Sequence, residues 1–164
     1  MPARESLSSI GSLIPQSILV HVQTDIVIDQ PLEMVSDYAA NPDNAPHWYV
    51  NIQSAKWKTP KPLQKGSQVM FTAKFMGKEL QYTYEIVQYI PREKLVMRTA
   101  EAPFPMETSY TWEAISDRQT QMILSNTGEP SGFSRLMQPF IASMMKRANK
   151  KDLQKLKEIL ERST

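Results

Sequence analysis

The sequence has no cysteine and two histidines, His21 and His47, placed 26 positions apart. Disulfides, thiol nucleophiles and cysteine-ligated metals are therefore excluded, and the histidine spacing fits no familiar metal motif. Neither a metal nor any other cofactor is expected. Glycine is also scarce, and Gly66 and Gly77 stand singly beside turns, so no phosphate-cradling loop is present. A Gly-x-Ser-x-Gly nucleophile elbow is missing as well. No run approaches the roughly 18 to 20 apolar residues of a membrane span. Residues 1–17 lack the continuous apolar segment of about 7 to 15 residues that a secretory signal needs. Cytoplasmic residence is the resulting expectation, and the lack of cysteine fits a reducing compartment. The formal charge of +2 is too small to imply an anionic partner.

What is present is a chain of 164 residues with 41% hydrophobic content, enough for one domain with a sizeable core. Residues 1–17 read as a leader, loosely ordered or lying on the surface, and 18–162 as the domain. Ile18 to Asp29 alternates, with Val20, Val22, Thr24, Ile26 and Ile28 on one face and His21, Gln23 and Asp25 on the other. That is a half-buried strand. Asp29-Gln30-Pro31 supplies a helix start, and Asn41-Pro42 stops that helix. A second short turn is expected at Pro42 to Ala45, before Pro46.

Six strand-like stretches follow: Tyr49–Trp57, Ser67–Met76, Glu79–Ile90, Lys94–Glu101, Met106–Ala114 and Gln119–Thr127, separated by turn residues such as Gly77-Lys78 and Pro91-Arg92-Glu93. Their short connections imply antiparallel neighbours. From Gly132 to Arg162 the pattern changes. Leu136, Met137, Phe140, Ile141, Met144, Met145, Ala148, Leu153, Leu156, Ile159 and Leu160 recur at steps of three and four, with Lys and Arg opposite them. This is one long amphipathic helix, roughly 46 Å if uninterrupted. Ser131 and Ser134 are its candidate caps, and Pro139 is expected to kink or restart it.

The fold class is therefore α+β: a seven-stranded antiparallel sheet, two short helices after the first strand, and a long C-terminal helix. Seven strands span about 29–34 Å at about 4.8 Å each, whereas a helix with its side chains is only about 10–12 Å across. A single helix leaves most of such a face uncovered. Large side chains fill the rest, or a cavity remains.

Parity assigns the residues facing that space. Phe71, Tyr82, Tyr84, Met97, Thr99, Met106, Thr108, Tyr110, Trp112 and Asn126 point inward from the strands, and Phe133, Met137, Phe140 and Met144 from the helix. The set is apolar, rich in Met and aromatic rings, with scattered hydroxyls and one amide. Such linings suit apolar small molecules, and the alternative for each residue is a place in a packed core. The buried hydroxyls and the amide each need a hydrogen-bond partner, either a ligand or water.

Several stretches resemble the START/Bet v 1-like helix-grip superfamily, in its polyketide cyclase/dehydrase-like branch. Ile28-Asp29-Gln30-Pro31-Leu32-Glu33-Met34-Val35 resembles the passage from that family's first strand into its first helix. Asn41-Pro42-Asp43-Asn44-Ala45-Pro46-His47-Trp48-Tyr49-Val50-Asn51-Ile52 resembles the turn of its second short helix into the second strand. Pro103-Phe104-Pro105-Met106-Glu107-Thr108 and Gly128-Glu129-Pro130-Ser131-Gly132-Phe133 are similar to blocks in small bacterial members. The resemblance runs from about Ile18 to Arg162. It implies a sheet curved around the last helix with a deep apolar cavity between them, and it carries no invariant catalytic set onto this chain.

Three functions follow as alternatives. The first is binding or transport of a hydrophobic small molecule: a lipid, isoprenoid or polyketide-like compound. The second is a cyclase or dehydratase in the same cavity, for which Tyr82, Tyr110, His47 and Glu101 are the available acids and bases. The third is a protein-interaction module with a filled core. The basic residues between Lys146 and Arg162 read as a solvated helix face without interleaved aromatics, so no nucleic-acid partner is expected. Transient contact with an anionic membrane surface remains compatible with that face.

Overall fold

The computed structural model describes residues 19–75, 77–129 and 135–162. The leader, Phe133, and the candidate caps Ser131 and Ser134 lie outside them. Strand β1 (Val20–Ile28) leads into α1 (Leu32–Ala40), a 3-10 turn (Pro42–Asn44) and α2 (Ala45–Trp48). Six strands follow: β2 (Ile52–Trp57), β3 (Gln68–Phe75), β4 (Lys78–Ile90), β5 (Lys94–Glu101), β6 (Met106–Ser116) and β7 (Gln119–Gly128). A second 3-10 turn (Arg135–Met137) opens α3 (Gln138–Glu161). Among the described residues no helix is long and apolar enough to cross a membrane.

The strands form one seven-stranded sheet in the order β1-β7-β6-β5-β4-β3-β2. Every neighbouring pair is antiparallel. The meander from β2 to β7 follows from its short turns. One is the β3–β4 hairpin, where Gly77 takes φ +77°, a conformation that glycine adopts without penalty. Register shifts in β2, β4, β5 and β6 mark bulges, which bend a sheet into a trough. Thr83 is buried as well, although alternation places it on the face opposite Tyr82 and Tyr84.

Hydrogen bonds pin α3 along the outer strand β1. Gln138 Nε2 donates to the Leu19 carbonyl at 2.6 Å near one end. Towards the other end, Lys157 Nζ donates to the Val27 carbonyl and Gln30 Nε2 to the Leu160 carbonyl, each at 2.8 Å. The helix therefore runs alongside β1 in the same direction. Its second half is tightly packed: Leu153, Leu156 and Leu160 are buried against Ile28, Val35, Trp48, Met122 and Leu124. Its first half touches a separate small cluster of Val20, Val22 and Ile141. The apolar interior is split in two, and the gap between the clusters is the site described below.

One local expectation changes, and another resolves to one of its two outcomes. The stretch Ala45–Trp48 is helical, because Pro46 occupies the first turn, where its missing N–H is no loss. Strand β2 accordingly begins at Ile52 rather than Tyr49. Pro139 also sits in a first turn, that of α3 behind the 3-10 turn, so of the two outcomes expected there the helix restarts rather than kinks. At about 1.5 Å per residue, its 24 residues make a rod of about 36 Å, shorter than the uninterrupted stripe suggested.

Candidate functional site

A cavity of about 570 Å³ lies between the first half of α3 and the inner faces of β3, β4 and β6. That volume falls within the usual range for small-molecule sites, roughly 300–1,000 Å³. Phe71, Tyr82, Tyr84, Met97, Met106, Thr108, Tyr110 and Asn126 line it from the sheet, and Met137, Phe140 and Met144 from the helix. Met137 and Phe140 are 40% and 59% exposed, so they form a rim rather than an interior wall. Leu136, 90% exposed, points away altogether. The solid interior that an interaction module would require is absent from this part of the fold.

Two residues expected on the lining do not line the cavity. Thr99 does not reach the cavity, because its Oγ1 accepts a hydrogen bond from the Met106 backbone N–H at 3.0 Å across the β5–β6 hairpin. Trp112 lies deeper, its ring at 6.0 Å from that of Tyr110 in the packed end of the core. The catalytic candidates divide in the same way. Tyr82 and Tyr110 line the cavity. His47 is exposed on α2, and Glu101 is exposed at the end of β5, 3.6 Å from Lys58. Among the described residues, no group of three or more His, Asp or Glu side chains is placed to hold a metal ion.

Most of the polar groups on the wall find partners in the protein. Thr108 Oγ1 donates to Asn126 Oδ1 at 2.6 Å and accepts from the Tyr84 hydroxyl at 2.8 Å, a relay spanning β4, β6 and β7. Tyr110 and Tyr49 share a hydrogen bond between their hydroxyls. Burial pushes the Tyr84 hydroxyl up to about 12 and drives those of Tyr49, Tyr82 and Tyr110 well above the ordinary value. All four stay protonated at neutral pH.

Among the lining residues that escaped the sequence reading are Tyr49, Asn149 and Asp152, together with the charged Lys74, Lys78 and Glu107. Spacing alone puts Tyr49 at the start of a strand with no assigned face, and Asp152 within the charged stretch between Lys146 and Arg162. Yet Met145, Asn149, Asp152 and Leu156 follow one another at steps of four, three and four, which puts the two polar residues on the apolar stripe itself. That was the available signal. Both are buried, at 6% and 4% exposure. Asp152 Oδ1 accepts the Val50 backbone N–H at 2.9 Å. Burial nevertheless lifts its carboxyl from 3.8 to about 6, against the opposing pull of that hydrogen bond and of Lys155. The amide nitrogen of Asn149 has no hydrogen-bond partner.

The sequence matches the family described as polyketide cyclase/dehydrase and lipid transport over residues 20–161. No curated protein matches it in sequence. Among solved structures it is similar to a protein of Thermus thermophilus, at 17% identity and TM-score 0.76, covering 88% of this chain and 99% of that one. It is also similar to the Zhui aromatase/cyclase of a Streptomyces species, at 14% identity and TM-score 0.75, covering 88% and 95%. A START superfamily protein of Mycobacterium smegmatis aligns at 11% identity and TM-score 0.77, covering 88% and 99%. At these identities the structural likeness is one of fold. The family match extends over nearly the whole described chain, and the chain belongs to the polyketide cyclase/dehydrase and lipid transport family, with the START/Bet v 1-like helix-grip fold.

Proposed function

We propose that this protein binds and carries a hydrophobic or amphipathic small molecule, of lipid, isoprenoid or polyketide-like character, between its sheet and α3. One observation carries the reading: an apolar cavity of about 570 Å³ rimmed by the exposed side chains of Met137 and Phe140. Burial of apolar surface at about 25 cal/mol per Å² supplies the affinity, and the wall's hydroxyls supply orientation. Cytoplasmic residence is part of the same proposal.

Native mass spectrometry of protein purified from cells should detect a co-purifying small molecule. Ala148 lines the cavity from α3 with one methyl group, and Ala148→Phe fills the space in front of it. That variant should lose the bound molecule and weaken binding of a solvatochromic dye such as Nile red by about tenfold or more, a loss of about 1.4 kcal/mol. Unchanged dye binding in the variant would refute the reading.

The second reading is a cyclase or dehydratase, and Asp152 favours it. A buried carboxyl titrating at about 6 and facing an apolar cavity suits general acid–base work. If the protein is an enzyme, Asp152→Asn should abolish turnover while leaving dye binding intact.

A further inference from the structure

The cavity has a direction. Phe140 marks its exposed rim, and Asp152 lies twelve residues further along α3, about 18 Å along the helix axis. At that inner end the apolar lining gives way to Tyr49, Tyr82, Tyr110, Asn149 and Asp152. The Tyr49 and Tyr110 hydroxyls satisfy one another. One oxygen of Asp152 is committed to the Val50 backbone N–H. The Asn149 amide nitrogen is left over: an N–H donor on a side chain 94% removed from solvent, with no acceptor.

A buried donor without an acceptor is costly, by about 1–3 kcal/mol; Thr24 Oγ1, Trp48 Nε1 and Trp112 Nε1 are also unpartnered, but of these four residues Asn149 alone lines the cavity. Asn149 stands one helical turn before Asp152, so the unused donor and the carboxylate neighbour one another on the same stripe. The other groups around Asp152 are the phenols of Tyr49, Tyr82 and Tyr110 and, on its own helix, Lys155. Lys155 is exposed, and the two cations that do line the cavity, Lys74 and Lys78, are exposed residues flanking the β3–β4 hairpin. A carboxylate or phosphate arriving at this end would meet the Asp152 charge in a poorly solvated place. An uncharged group that accepts from Asn149 and donates to Asp152 would meet a complement.

We propose that Asn149 and Asp152 form a headgroup subsite, which takes the polar end of an elongated apolar molecule bearing a neutral acceptor beside an O–H or N–H donor and rejects carboxylates. This rests on the cavity being a ligand site, as proposed above, and specifies which end of the ligand lies deep. Amides, hydroxyketones and related hydroxy-carbonyl compounds belong to the class, and ionised fatty acids do not.

Displacement of Nile red at pH 8 by decanamide and by decanoate tests it. The wild-type protein should prefer decanamide by at least about tenfold. Since a carboxylate resists dehydration in any apolar site, the decisive comparison is with Asp152→Asn, which keeps the side-chain shape and an acceptor for Val50. That variant should gain decanoate affinity and shrink the preference to about threefold or less. Asn149→Leu should weaken decanamide by about tenfold more than it changes Nile red affinity, the effect of one lost buried hydrogen bond. Equal wild-type affinities, or a preference that both substitutions leave intact, would overturn the subsite while the hydrophobic cavity reading stands. Failure of Nile red to bind the wild-type protein would remove both.

Discussion

Asp152 is held in the folded chain at a cost, and that cost has a sign and a size. Its carboxyl is 4% exposed and titrates at about 6 in place of 3.8. Between those values the folded protein retains a proton that the unfolded chain has released, so stability falls as the pH rises. Below about 4 both states are protonated and nothing is lost. Above about 6 the folded state carries the full burden of a buried charge, about 3 kcal/mol at about 1.4 kcal/mol per pH unit of separation. Asp152→Asn removes the charge and keeps a carbonyl oxygen for the Val50 N–H. The variant should therefore match the wild type near pH 4 and exceed it by up to about 3 kcal/mol at pH 8. With m-values of about 1–3 kcal/mol per molar urea, the midpoint gain at pH 8 is on the order of 1 M or more. Asp43 and Glu161, whose carboxyls are pulled down by Lys61 and Lys157, give the opposite pH slope. Both proteins share that contribution, and it cancels in the comparison. A difference between the two proteins that stays flat from pH 4 to 8, whatever its offset, would refute the burial argument.

Three further outcomes follow from packing and pairing. Leu156 is fully buried where α3 meets the closed end of the sheet, so Leu156→Ala should cost about 2–5 kcal/mol in chemical denaturation, with little effect on dye binding. Tyr110→Phe leaves the Tyr49 hydroxyl without its partner and should destabilise by about 1–2 kcal/mol; a loss below about 0.5 kcal/mol would mean that water replaces the bond. Lys61 pairs with Asp43 at 2.6 Å on an exposed surface, and Lys61→Ala should change stability by less than about 1 kcal/mol, decreasingly so with added salt.

The architecture was legible because it depends on local regularities. Alternation in Val20–Ile28, the turn residues between the later strands, and the three-and-four spacing of Leu153, Leu156 and Leu160 each report a period of the backbone. Counting strand widths against one helix diameter was enough to anticipate space between them. Parity also placed Phe71, Tyr84, Met97 and Tyr110 on the inner face, since neighbouring strands keep their register there. It did not foresee that Thr83, on the opposite face, is also buried, or that the Thr99 hydroxyl accepts from a backbone N–H instead of serving the cavity.

By itself, the amino-acid order determined which segments become strands and helices, that the sheet is antiparallel, and that α3 is too narrow to cover it. Only the tertiary structure decided where along α3 the interior is solid and where it is hollow. That depends on how the curled sheet and α2 close around one end of the helix and not the other, which no periodicity records. The same closure turns Asn149 and Asp152 from residues of a charged helix into buried groups. Burial, not residue type, sets what an amide or a carboxylate does, and burial is a property of elements brought together from distant parts of the chain.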